Sequence, residues 1–140
     1  MAPNMSILVS LLFFACSPQL KQDNEYSFIT KHKFTKEQMK FPVHHLIVSY
    51  QDQTKKYCNI GFRIFIQEND ERVTFNTRSK NYLGSYVPGA DCKDKFRISL
   101  IGKLEYKEQK SLTAFAVPTN LQGEVLRVDL RQNFSFDIEN

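Results

Sequence analysis

The sequence contains three histidines, a residue type that can bind a metal ion or transfer a proton. His44 and His45 are adjacent, and His32 lies between Lys31 and Lys33. Neighbouring residues of a β-strand point to opposite faces of the sheet, so His44 and His45 are poorly placed to bind one metal ion. The basic stretch around His32 suits a solvated surface, or contact with anionic lipid head groups. The histidines therefore predict no metal site, and no cofactor is expected.

Carboxylates are numerous, but none of them falls in a known catalytic motif. They cluster in turn-like stretches at residues 68–71, 91–94 and 105–108. The sequence has five glycines, and it contains neither a Gly-x-Ser-x-Gly nucleophile motif nor a glycine-rich phosphate loop. We therefore predict that the protein is not an enzyme. The alternative is a secreted hydrolase, or a glycan-binding module, that uses loop carboxylates.

Composition places the chain among globular proteins of one domain. It has 140 residues, of which 41% are hydrophobic and 24% charged, values close to the globular average. The formal net charge of +4 is too small to indicate a nucleic-acid partner by itself. Basic residues between positions 91 and 110 are interleaved with acids, so we predict no nucleic-acid binding.

An apolar segment lies near the amino end of the sequence. Residues 6–15 contain only two polar residues, both serines. A helix of that length covers about half of the roughly 30 Å hydrocarbon core of a bilayer, so it is too short to span. Its length matches the apolar region of a secretory signal peptide, about 7 to 15 residues. We predict a signal peptide over residues 1–15.

The end of this segment resembles the lipobox of bacterial lipoprotein precursors, a Leu-small-small-Cys pattern. Ala15 and Cys16 match the last two positions, and Phe13 and Phe14 occupy the first two. The resemblance implies that Cys16 carries the diacyl lipid, palmitate included, and becomes the mature amino terminus. Residues 16–30 would then hold the lipidated cysteine and a polar tether. A plain secreted protein is the alternative.

The number of cysteines agrees with this interpretation. There are three, and in an exported protein an odd number leaves one cysteine without a disulfide partner unless that cysteine has another role. If Cys16 is lipidated, Cys58 and Cys92 are the only pair left. A disulfide between them would stabilise the fold by roughly 3 to 4 kcal/mol in the chain-entropy model. Two reduced core thiols are the alternative for a cytosolic chain, and a zinc site would need more ligands at tighter spacing.

Apolar residues alternate with a period of two from residue 43 onward. The clearest run covers residues 57–67, where every second residue from Cys58 to Ile66 is apolar. Turn-forming residues at 67–71 and a further run at 73–77 predict a hairpin. The other predicted strands cover residues 43–50, 82–87, 96–101, 104–106, 112–117, 125–130 and 134–138.

This pattern predicts the fold class. Seven to nine short antiparallel strands separated by turns are typical of a small β-sandwich or barrel. Before them, the capping-box pattern from Thr35 to Gln38, ended by Pro42, predicts one or two helical turns. We therefore predict a single all-β domain over residues 31–140.

The polar face of the central strand contains one aromatic residue that does not fit. Phe65 lies on the same face as Arg63, and Tyr57 begins the run. If Phe65 is exposed, then Tyr57, Arg63 and Phe65 form a candidate binding face. If residues 34–41 or a second sheet cover it, Phe65 is removed as an interface residue. The solvent accessibility of Phe65 distinguishes the two.

Together these features predict an exported, lipid-anchored protein of the cell envelope with a binding or assembly role. The residue after Cys16 is Ser17 rather than aspartate, which resembles the outer-membrane sorting signal of enteric-type bacteria. Small β-sandwich lipoproteins serve as accessory subunits of secretion or surface machines, as inhibitors or as immunity proteins, an analogy from fold and location alone. The expected partners are the membrane, through the lipid, and an envelope protein.

Overall fold

The computed structural model describes residues 26–39 and 42–140. The predicted signal peptide, Cys16 and most of the predicted tether lie outside these residues. Within the described ranges, no helix combines the length and the hydrophobicity needed to cross a membrane.

The described residues form seven strands in two antiparallel sheets, which confirms the predicted all-β sandwich. Sheet A has four strands in the order β1-β6-β3-β4, and sheet B has three in the order β5-β2-β7. The strands are β1 Thr30–Thr35, β2 His45–Gln51, β3 Gly61–Glu68, β4 Tyr82–Tyr86, β5 Lys93–Ser99, β6 Ser111–Thr119 and β7 Phe134–Glu139.

The main core lies between the two sheets. The period of two in β3 sends Phe62, Ile64 and Ile66 into it, as predicted. Phe62 has no solvent exposure, and its ring lies 5.0 Å from that of Phe134 on β7. Burying such a side chain completely contributes about 1.5 to 3 kcal/mol. The aromatic side chains predicted from strand propensity therefore join the two layers.

A second, smaller cluster covers the outer face of sheet A. Phe65, Phe115 and Val117 point outward from β3 and β6 and are buried beneath Phe28. The strand β6 is therefore buried on both faces along its whole length. Strands covered on both sides have near-continuous apolar sequences rather than strict alternation, and β6 fits this description.

The amino-terminal boundary and the first elements differ from the prediction. The strand β1 was not predicted, and Phe28 is already buried, so the fold begins before residue 31. The predicted helical turns are a single 3-10 turn, Lys36–Gln38. The Thr35 backbone N–H donates to Gln38 Oε1 at 2.8 Å, which is one half of the predicted capping box.

The hairpin predicted with residues 73–77 is wrong. The strand β3 pairs with β4 instead, and residues 69–81 form a loop. Asn81 fixes the end of this loop, because its backbone carbonyl accepts from the Ile66 N–H and its side-chain amide donates to the Ile66 carbonyl, both at 2.9 Å. Apolar alternation in the loop reflects packing onto sheet A, where Phe75 lies 5.3 Å from the ring of Phe65.

Two other predicted strands belong to neither sheet. The N–H groups of Glu105 and Tyr106 donate to the Glu68 carboxylate instead of to another strand. Residues 125–130 make one isolated bridge, from Val125 to Thr119. Alternate side chains of this second segment pack against the main core, which explains the period of two without a sheet.

Candidate functional site

Phe65 is covered by its own chain, so it is not available to a partner. Its side chain has no solvent exposure. The cover is neither of the two that were predicted, because it comes from residues 26–29 and from the loop at residues 69–81. The part of the predicted binding face that depended on an exposed Phe65 is therefore wrong.

The other two residues of the predicted binding face lie apart from each other. Arg63 is partly buried, and its Nη2 donates to the Gly123 carbonyl at 2.5 Å, which ties the turn after β6 to sheet A. Gly123 has a φ of +90°, a conformation that favours glycine. Tyr57 instead packs against the main core between the sheets. The structure does not bring Tyr57, Arg63 and Phe65 onto one surface.

The predicted disulfide between Cys58 and Cys92 is present. The Cα atoms lie 4.7 Å apart, within the usual range of about 4.4 to 6.8 Å. The bond ties the loop after β2 to the turn before β5. The Cys92 carbonyl also accepts from the Asp52 N–H at 2.9 Å, so the same two segments are joined twice.

A buried carboxylate organises the loop on one side of this bond. Asp52 is 4% exposed and accepts from the Thr54 hydroxyl at 2.6 Å and from the Tyr57 N–H at 2.7 Å. The hydrogen bond from the Thr54 side chain, followed by that from the Tyr57 backbone, lowers the pKa of the Asp52 carboxyl below its ordinary value. Asp52 is thus a structural anion, because both of its carboxylate oxygens already accept hydrogen bonds from its own loop.

The buried Tyr50 forms a hydrogen bond with the same loop. Its hydroxyl donates to the Tyr57 carbonyl at 2.8 Å. Burial, with a smaller contribution from the nearby Asp52, raises the pKa of Tyr50 to about 12. The phenol therefore stays neutral at physiological pH and acts as a hydrogen-bond donor.

Beside this loop lies an open depression of about 970 Å³. The loop after β2, the start of β5 and the segment before β7 form its walls. The lining combines apolar surface from Tyr57, Leu130 and Phe134 with polar and charged side chains, among them Gln51, Gln53, Gln132, Asp91, Lys93, Asp94 and Lys95. Tyr57 is thus a lining residue of this depression rather than a neighbour of Arg63.

The outer face of sheet B carries opposite charges on its two edges. Lys93, Lys95 and Arg97 follow one another on the outer face of β5, and Asp137 and Glu139 do so on β7. A contact between the Arg97 Nε and the Glu139 carboxylate crosses the sheet. Exposed pairs of this kind contribute about 0 to 1 kcal/mol.

His45 is the first residue of β2, His44 lies just before the strand, and both are partly buried. The His44 and His45 rings are 6.5 Å apart and nearly perpendicular. His45 Nδ1 lies 3.8 Å from the Glu139 carboxylate, too far for a hydrogen bond. Across the described part of the chain, no three His, Cys, Asp or Glu side chains are grouped so as to hold a metal ion.

The four edge strands of the two sheets differ in charge. The edge strand β1 exposes Lys31 and Lys33, while β5 and β7 carry the charges described above. The edge strand β4, Tyr82–Tyr86, contains no charged residue. Charged side chains on an edge discourage pairing with another chain. Among the edges of the described sheets, β4 alone lacks this protection.

The geometry of β4 limits pairing to its second half. A register shift between Ile64 and Phe65 makes Leu83 a bulge residue. Beyond the bulge, Ser85 and the following Val87 are exposed, Val87 by 56%. Within the described residues, β4 pairs with β3 on one side and with no strand on the other. The opposite side of this strand therefore presents unpaired backbone groups.

Comparisons with known proteins leave the chain without an assigned family. No family model matches it, and no curated protein matches it. Among solved structures it is similar to a recombinantly expressed latent aurone synthase, a polyphenol oxidase, co-crystallised with hexatungstotellurate(VI). The identity is 14%, the TM-score is 0.49, and the match covers 82% of this chain and 24% of that one.

Two further structures of latent aurone synthase give the same picture. The recombinant enzyme matches at 15% identity and a TM-score of 0.47, covering 79% of this chain and 23% of that one. The enzyme from its natural source matches at 14% identity and a TM-score of 0.47, covering 82% and 25%. The chain thus spans about a quarter of these proteins. At such identities and TM-scores, the likeness carries no information on activity.

Proposed function

We propose that this protein is an exported, lipid-anchored component of the cell envelope with a binding or assembly role. A place as an accessory subunit of a secretion or surface machine, as an inhibitor or as an immunity protein fits this role. The Cys58–Cys92 bond supports export, because structural disulfides form and persist in oxidising compartments. The apolar residues 6–15 followed by Cys16 support the anchor, with the outer membrane as the expected location.

The observation that carries the binding role is the uncharged edge strand β4. A strand of this kind accepts an extended segment of another protein, which adds to the sheet by backbone hydrogen bonds. The proposed occupant is an extended segment of an envelope protein. It would pair with residues 84–86, beyond the bulge, and contact the exposed Val87.

The anchor is tested by changing the one cysteine that the lipobox pattern singles out. Cys16→Ser should move the protein from the membrane fraction to the soluble fraction, or leave it unprocessed. Labelling cells with a palmitate analogue should mark the wild-type band and spare the variant. An unlabelled wild-type band would contradict lipidation.

The binding surface is tested by site-specific cross-linking in cells with the full chain. A photo-reactive phenylalanine analogue at the exposed Ser85 should form a discrete cross-link to one envelope protein. Ser85→Lys, assayed with the probe at Val87, should abolish that cross-link, because a lysine on an edge opposes strand addition. Thr77→Lys places the same charge on an exposed residue of the loop before β4, outside the strand, and should leave the cross-link intact. Equal cross-linking by the two lysine variants would refute β4 as the binding surface.

A further inference from the structure

The depression beside the disulfide has the size of a small-molecule site. Its volume of about 970 Å³ falls near the top of the usual range of roughly 300 to 1,000 Å³. It is open to solvent and lies at the end of sheet B, and no residue of β4 lines it. Any ligand bound here would occupy a surface separate from the edge strand.

The walls of the depression are held rigidly before any ligand arrives. The disulfide and the Asp52 hydrogen bonds fix the loop after β2. On the opposite wall, the Asn133 amide donates to the Gln51 carbonyl at 3.0 Å, and the Gln51 N–H donates to the Asn133 carbonyl at 3.0 Å. A site that is already ordered loses less conformational entropy on binding.

The charges around the depression nearly balance, which disfavours a strongly charged ligand. Asp129 pairs with Arg131 at 2.6 Å. The lining charges that remain are three carboxylates and two ammonium groups: Asp52, Asp91, Asp94, Lys93 and Lys95. Their formal sum is −1, so a polyanion gains no net attraction and a polycation meets only one net negative charge.

The lining groups are both donors and acceptors of hydrogen bonds. The side-chain amides of Gln51, Gln53 and Gln132 each offer a carbonyl oxygen and an NH₂ group. The carboxylates add acceptors and the lysines add donors. A hydroxyl donates one hydrogen bond and accepts two, so neighbouring hydroxyls on a ring match such a mixed surface.

Apolar surface lies among these polar groups, from Tyr57, Leu130 and Phe134. The Tyr57 ring is partly exposed at the wall, and the Lys56 ammonium lies 5.5 Å from its centroid on one side. An aromatic ring packs against the C–H face of a sugar while its neighbours bind the hydroxyls. We propose that this depression binds an uncharged oligosaccharide, a ligand class independent of the protein partner at β4.

The proposal is tested by calorimetric titration of the full chain with two neutral disaccharides, N,N′-diacetylchitobiose and cellobiose. We expect saturable binding of at least one of them with a Kd of about 1 mM, as befits an open polar site. A sulfated disaccharide and tri-lysine, titrated under the same conditions, should bind more weakly. Tighter binding of either charged probe would overturn the assignment, as would no saturation by either neutral disaccharide up to about 10 mM.

Matched variants locate the binding within the molecule. Gln53 and Asp91 are both exposed, so Gln53→Ala and Asp91→Ala should fold normally and each weaken the affinity about tenfold. Ser85→Lys should leave the saccharide affinity unchanged, and Gln53→Ala should leave the cross-link at β4 unchanged. Wild-type affinity in both lining variants would overturn the site. Failure of the saccharide titration leaves the β4 cross-link as a separate result, so the two proposals fail independently.

Discussion

The two ends of the sandwich each contain a buried carboxylate, and the two carboxylates are held in opposite ways. Asp52, next to the disulfide, takes its hydrogen bonds from residues two and five positions along the chain. Glu68, at the end of β3, is 3% exposed and accepts from the Glu105 N–H at 2.8 Å and the Tyr106 N–H at 3.0 Å. Those donors lie 37 and 38 positions away.

The difference shows how each end is stabilised. Around Asp52, a local turn and one covalent bond keep the loop in place, so its outer side is free to line an open depression. Around Glu68, the side-chain amide of Gln109 adds a third hydrogen bond at 3.0 Å, and the loop before β6 closes over the carboxylate. The Asp52 carboxylate accepts from its own loop, whereas the Glu68 carboxylate accepts from a distant segment.

The largest expected effect is at Glu68, the carboxylate whose donors are distant in sequence. Glu68→Ala leaves two backbone N–H groups and one N–H of the Gln109 amide without an acceptor, which should cost about 3 to 5 kcal/mol. Urea unfolding measures the difference, with Glu108→Ala, an exposed carboxylate in the same loop, as the control. A cost below about 1 kcal/mol would mean that water replaces the carboxylate and that the distant contacts are dispensable.

The second largest expected effect is the loss of stability on removing the Cys58–Cys92 disulfide. The double variant Cys58→Ser, Cys92→Ser should lose about 3 kcal/mol, because the bond spans a sequence separation of 34. Amide hydrogen exchange should rise in residues 52–58 and 87–92 and stay unchanged in residues 103–109. Equal acceleration in all three segments would show that the two ends are not independent.

A smaller effect is expected from Asp52 itself. Asp52→Ala removes three hydrogen bonds, two from Thr54 and one from the Tyr57 N–H, and should cost about 2 kcal/mol at neutral pH. Asp70→Ala, an exposed carboxylate in a turn, is the control for thermal unfolding. The loss should be smaller than for Glu68→Ala, since the disulfide still holds the loop. A larger loss would reverse the comparison between the ends.

The smallest expected effect is the pH dependence of the stability that Asp52 contributes. Hydrogen bonds from Thr54 and Tyr57 lower the pKa of Asp52 in the folded state below its unfolded value of about 3.9. Its contribution is therefore complete above about pH 3.9, and it is lost as the pH falls through the folded pKa. The stability gap between wild type and Asp52→Ala should narrow on acidification over that range. A gap that widens there would contradict the direction of the shift.

Patterns confined to neighbouring residues predicted much of the fold. The alternation in β3 predicted that Phe62 and Ile64 face the core, and they do. The same alternation misled at residues 73–77 and 125–130, because a segment outside the sheets can also pack alternate apolar side chains against a core cluster. The strand β1 was missed because its sequence, TKHKFT, carries three basic side chains and one large apolar residue.

The candidate sites were less predictable than the fold. Phe65 drew attention as an aromatic residue on a polar face, yet its cover by Phe28 and Phe75 depends on loops far from it in sequence. The uncharged edge of β4 is visible in the sequence only once the strand order is known, because any strand can lie at an edge or at the centre of a sheet.

The sequence by itself determined the all-β class, the inward face of β3 and the Cys58–Cys92 pair. These follow from periodicity, turn residues and the number of cysteines, which are properties of short windows or of simple counts. Only the tertiary structure decided that Phe65 is covered, that Glu68 is buried and that β4 is an uncharged edge. Each of these depends on which distant segment comes to lie beside the residue, and that choice is made by the packing of the whole chain.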